Sequence, residues 1–163
     1  MKKLEKLEIY IKAMHIVHLV NGFMLTIPED DEYLQATKGF MLEDASIMAA
    51  KIAGAEGGDL YSIRMQNASI VREHAMHLYV QVGSLRFHKN YKDVEYVEML
   101  RNEIEEFRML FIDWVAAFDA TNHIWDEWEL FNPPGAVRPD PSENNSDDDF
   151  FDPSIFFDDD DDE

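Results

Sequence analysis

"AAKIAGAEGGDLYSIRMQ", residues 49–66, places Gly54, Gly57 and Gly58 within five positions between two long apolar stretches. A phosphate-binding loop would need Gly-Lys-Ser/Thr after a strand, or G-x-G-x-x-G between a strand and a helix. Here the spacing is G-x-x-G-G, no lysine follows, and both flanks carry helical periodicity. The stretch reads as a corner between two helices. Its glycines are expected to supply the backbone conformations that end one helix and let the next pack back closely against it.

Upstream of the corner, Leu34, Met41, Ala45, Met48 and Ile52 recur at spacings of three, four or seven, the signature of one helical face. "TIPEDDEYL" (26–34) supplies a start near Pro28, with Thr26 and Glu29 at capping-box spacing and acidic residues at the positive end of the helix dipole. Downstream, Asp59 is the expected N-cap of a third helix over about Leu60 to Phe87, with Tyr61, Met65, Ala68, Ala75, Tyr79 and Val82 as its apolar positions.

A first helix is expected from about Lys3 to Leu25. Leu4, Leu7, Ile11, Met14, His18 and Leu25 form its seam, and Ile9, Ile16, Val20 and Phe23 widen it. A fourth opens at Asn90 or Lys92 and carries Val97, Leu100, Ile104, Phe107, Phe111, Trp114, Phe118 and Trp125, until "FNPPG" stops it after Phe131. Four such helices on short connections predict an all-α, up-and-down antiparallel four-helix bundle over residues 1–132. The long fourth helix would carry Trp125 and Trp128 past the bundle, either as a contact surface or as a cover for its open end.

The chain has 163 residues and a formal charge of -20, unevenly spread. Of its 34 acidic side chains, 12 lie in residues 139–163, where there is no Lys or Arg; residues 1–138 hold the other 22 with all 14 basic ones, a balance of eight negative. That balance argues against a duplex-binding surface, which needs Lys and Arg against phosphates. The absence of cysteine removes disulfides, thiolate zinc sites and cysteine nucleophiles. The opening "MKKLEKLEIYIKAMHIVHLV" starts as a signal peptide does, but Glu5, Glu8, Lys12, His15 and His18 interrupt it. An amphipathic helix of a cytoplasmic protein is the expectation, with no membrane span.

From residue 133 to 163 the pattern gives way to Pro, Ser, Asn and Asp, the composition of a disordered acidic tail. Phe150, Phe151, Ile155, Phe156 and Phe157 stand between its aspartates. Apolar pairs in that setting suit a segment that docks into a basic-rimmed groove; the alternative is an acidic shield that keeps the bundle soluble.

Two histidine pairs, His15 with His18 and His74 with His77, sit at i and i+3 and are the metal candidates, with Glu43, Asp44 and Glu73 as oxygen donors. No Glu-x-x-His of the di-iron carboxylate type occurs, so no cofactor is assigned. Asp44 and Arg72, near the middles of the second and third helices, are expected to form a buried ion pair across the hairpin. Ser46, Ser62, Ser69 and Ser84 lie in no nucleophile motif, and no catalytic residue is assigned.

"LEIYIKAM", "IPEDDEYL" and "IMAAKIAGAEG" together resemble the four-helix-bundle proteins encoded in intervening sequences of bacterial large-subunit ribosomal RNA genes, over roughly residues 7 to 115. In that family an aromatic and a Lys-Ala-like pair open helix one, a Pro-x-x-Glu step opens helix two, and an Ile-Ala-Glu-Gly corner closes it. Here the corner, Ile52 to Gly57, has two extra residues. The resemblance implies a bundle that assembles into a ring, with no catalytic residues to carry over. It also implies nucleic-acid binding through basic surfaces, from which this acidic chain departs.

The expected function is that of a non-enzymatic, self-associating interaction or adaptor protein, a homo-oligomer with an unknown protein partner. One alternative is a nucleic-acid accessory protein that uses Lys2, Lys3, Lys6, Lys12, Arg86, Lys89 and Lys92 and is autoinhibited by its tail. A second is a metal-binding bundle.

Overall fold

The structure is a computed structural model that describes residues 3–142. Of the expected tail, residues 133–142 are described and carry no helix or strand, whereas residues 143–163, with the docking residues Phe150, Phe151, Ile155, Phe156 and Phe157, and Lys2 lie outside the described residues. The chain divides into two units, Met1–Pro133 and Pro134–Glu163. In the first, a 3-10 turn at Leu4–Lys6 leads into α1 (Glu8–Met24), followed by α2 (Glu32–Glu56) and α3 (Tyr61–Ser84). A second 3-10 turn, Leu85–Phe87, leads to α4 (Val94–Ala116). No strand occurs among the described residues. α1 and α3 each pack against both α2 and α4, the square arrangement of a four-helix bundle with short connections.

Each helix gives a stripe at three- and four-residue spacing to one core. α1 contributes Ile9, Ala13, Ile16, Val20 and Phe23, and α2 contributes Leu34, Met41, Ala45, Met48, Ile52 and Ala55. Ala68, Val71, Leu78 and Val82 come from α3, and Val97, Leu100, Ile104, Phe107 and Trp114 from α4. The expected faces of α2 and α4 are the buried ones. In α1 the order is reversed: the stripe assigned to widen the seam is the core, whereas Ile11 and His18 are exposed and Leu25, just past the helix, is 89% exposed. α1 is apolar on more than one face, and periodicity alone cannot say which face its neighbours cover.

The helix boundaries move for identifiable reasons. α2 starts at Glu32 because Asp31 caps it, accepting from the Leu34 N–H at 3.0 Å, while the Thr26 hydroxyl turns back to the Phe23 carbonyl at 2.7 Å and closes α1. α3 has no side-chain cap; the Tyr61 N–H instead donates to the Asn122 carbonyl at 2.9 Å, a loop far along the chain. α4 stops at Ala116, well before Phe131. Asp119 accepts from both the Thr121 N–H (2.9 Å) and its hydroxyl (2.6 Å), a local bond that competes with helix continuation.

The glycine corner does connect α2 to α3, but not through left-handed backbone. Gly57 caps α2 at φ -73°, in right-handed helical space, and the only positive-φ glycine among the described residues is Gly135. Gly54 has a steric role: a Cβ there would lie 3.1 Å from Asn67 Oδ1, so its missing side chain lets α3 approach.

Candidate functional site: a groove and a histidine cluster

α3 and α4 are the most loosely joined neighbours in the bundle. Between them runs an open groove of about 450 Å³, lined by Ala75, Met76, Tyr79 and Val80 of α3 and by Ile104, Phe107, Phe111 and Ile112 of α4. Val80 is 68% exposed, and Met76 and Ile112 are each about half exposed. Arg72, Arg108 and Glu105 complete its lining, and Arg108 pairs with Glu105 at 2.9 Å. Arg101 lies beside it with its guanidinium 4.1 Å above the Tyr79 ring. The floor is apolar and the flanks are mainly guanidinium.

The expected Asp44–Arg72 pair does not form. Asp44 is buried, 5% exposed, but its partner is His74, whose Nδ1 lies 2.6 Å from Asp44 Oδ1. Arg72 is exposed and faces the groove instead, because α3 turns its 72-75-76-79 face to α4 and its 74 and 77 positions to α2. His77 Nδ1 stands 3.9 Å from the same oxygen. The His74 and His77 rings meet edge to face at 5.9 Å. Asp44 Oδ2 is buried without a hydrogen-bond partner. The second histidine pair is not a comparable cluster. His15 and His18 are exposed, and His15 Nε2 lies 3.7 Å from Glu103.

Trp125 and Trp128 are not on a helix. They belong to a loop organised by Asp126, whose carboxylate accepts from the N–H groups of Trp128 (3.1 Å), Leu130 (3.1 Å) and Phe131 (2.9 Å). Asn132 closes it from the other side, accepting from the Asp126 N–H at 2.7 Å and donating to its carbonyl at 3.1 Å. These contacts, the Phe131 N–H first, hold the Asp126 carboxyl below its ordinary 3.8 against the opposing effect of desolvation. The loop leaves Trp128 91% exposed and Trp125 half-buried.

Within the expected basic patch, Lys12 reaches Glu103 at 2.8 Å and Glu106 at 2.6 Å, and Arg86 reaches Glu98 at 3.3 Å. Those cations are engaged with carboxylates of α4. The groove itself was not foreseen from sequence, although the apolar residues Met76, Val80 and Ile112 outside the helices' core stripes are the signal that points to it.

Comparison with protein-family models, with curated proteins and with solved structures gave no match for this chain. The fold defines the class, an all-helical protein with a four-helix core, and no helix among the described residues is long and apolar enough to cross a membrane. The resemblance to the ribosomal RNA intervening-sequence bundles rests on the short motifs alone.

Proposed function

We propose that the chain is a non-enzymatic, self-associating interaction protein in which the α3–α4 groove of one copy receives the aromatic acidic segment, residues 147–157, of another. The observation that carries this reading is the match of chemistry. An apolar trough flanked by Arg72, Arg101 and Arg108 suits apolar pairs set between aspartates. The surroundings reinforce it, since the rest of residues 1–138 is net acidic and repels such a segment elsewhere. A groove-and-segment contact is heterologous, so one contact leaves the segment of the first copy and the groove of the second free, and rings or chains of copies follow.

Light scattering on the full chain across a concentration series tests it. Wild type is expected to associate, and both a groove variant (Met76→Asp with Ile112→Asp) and a segment variant (Phe150, Phe151, Phe156 and Phe157 to Ser) to remain monomeric. Mixing the two variants is expected to restore a dimer, because one supplies an intact segment and the other an intact groove. A wild-type monomer at every concentration, or association that survives both sets of substitutions, overturns the proposal.

A further inference from the structure

The interaction reading makes no use of the cluster on the opposite face of α3. We propose that Asp44, His74 and His77 form a binding site for a first-row divalent transition ion of the Zn(II) type. Asp44 comes from the middle of α2, and the two histidines lie one turn apart on α3, with both Nδ1 atoms turned toward the same carboxylate. The three ligand atoms lie within 4.8 Å of one another.

Tetrahedral coordination with bonds near 2.0–2.1 Å places ligand atoms about 3.3 Å apart. The two observed separations from Asp44 Oδ1, 2.6 and 3.9 Å, bracket that value, so small side-chain rotations suffice. Two imidazoles and one carboxylate suit zinc and its neighbours, while calcium and magnesium take oxygen-rich shells that this site lacks.

A second observation points to a ligand. Asp44 Oδ2 is buried with no hydrogen-bond partner, an unfavourable state for a carboxylate oxygen that a cation beside it relieves. His77, with its side chain 54% exposed, opens the site to solvent, so three protein ligands leave a fourth position to water.

Cobalt(II) titrated into the chelator-treated full chain provides the test. One equivalent is expected to give the intense visible absorption of a four- or five-coordinate ion, displaced by Zn(II). His77→Ala and His74→Ala are each expected to weaken binding by at least about tenfold, the scale on which even outer-shell changes act. His15→Ala with His18→Ala is expected to leave it unchanged. Because His77 is exposed, His77→Ala keeps the fold, which circular dichroism checks, and His77→Asn serves as a second variant. The faint spectrum of a six-coordinate, all-oxygen ion, such as the aspartates of residues 147–162 would give, overturns the proposal. So does a strong band that persists in the His77 variants.

Discussion

The indole N–H of Trp114 donates to Glu56 Oε1 across 2.8 Å, joining the last turn of α2 to the last turns of α4. Arg64 of α3 donates to the same oxygen and lays its guanidinium 4.2 Å above the Phe118 ring. Three helices therefore share one carboxylate at this end of the bundle. Glu56→Ala is expected to cost about 2–3 kcal/mol, since it strands an indole N–H and a guanidinium that are largely buried. Trp114→Phe should cost about 1–3 kcal/mol through the lost bond and the smaller ring. Urea denaturation of the two single variants and the double variant checks the coupling, expected near 1 kcal/mol; strict additivity would show that the bond carries no stability.

Gly54 and Asn67 give a prediction of opposite sign. Alanine favours a helix over glycine by up to about 1 kcal/mol, but at Gly54 the new methyl presses on Asn67 Oδ1 at 3.1 Å. Gly54→Ala alone should therefore gain little or lose stability. In an Asn67→Ala background the same substitution is expected to stabilise by about 0.5–1 kcal/mol. Equal effects in both backgrounds, measured by thermal unfolding, would mean that the close approach of α2 and α3 does not constrain the site.

Lys12 ties α1 to α4 through Glu103 and Glu106. The hydrogen bond it donates to Glu103, then the one it donates to Glu106, holds its ammonium pKa above the ordinary 10.5 despite some desolvation. Its contribution is thus fully present below 10.5 and is lost as pH rises through the higher folded value. Lys12→Met is expected to cost less than about 1 kcal/mol near neutrality, with the difference from wild type shrinking in high salt and vanishing at strongly alkaline pH. Melting curves at low and high ionic strength check this, and a salt-independent loss would point to packing of the lysine stem instead.

Asp126 makes the loop that follows α4 sensitive to acid. Because its carboxyl is held below 3.8 in the folded loop, the loop keeps this support above that value and loses it as pH falls through the lowered folded value. Asp126→Ala should speed amide exchange at Trp128, Leu130 and Phe131 at neutral pH while leaving α1–α4 protected. Acidification of wild type should do the same only below about pH 4. Unchanged exchange in the variant would show that Asn132 alone holds the loop.

Much of the bundle is legible in the residues. The stripes Leu34-Met41-Ala45-Met48-Ile52 and Val97-Leu100-Ile104-Phe107-Trp114 are each hydrophobic on a single face, so periodicity identifies both the helix and its buried side. α1 has too many apolar faces for that rule, and its core stripe emerges only from contact with α2 and α4. α4 ends earlier than periodicity predicts, because Trp125, seven residues after Phe118, keeps the helical register beyond the true stop at Ala116. The turn-forming run Asp119-Ala120-Thr121-Asn122 carries the contrary signal.

The site was less legible, because it depends on helix rotation. Asp44 is recognisable as a buried charge in need of a partner, and both Arg72 and His74 lie on the right helix. A rotation of α3 by about 100° per residue separates their directions, and sequence does not set that angle.

The sequence by itself determined the all-helical class, the corner at residues 54–58 and the buried faces of α2 and α4, because these follow from local periodicity and from burial of the nearest apolar face. Only the tertiary structure decided that Asp44 meets His74 and His77, that Arg72 turns to an open α3–α4 groove, and that Asn122 caps α3. Those relations are set by how far each helix is rotated and how closely it approaches its neighbours, which the summed packing of the whole core fixes and no single segment encodes.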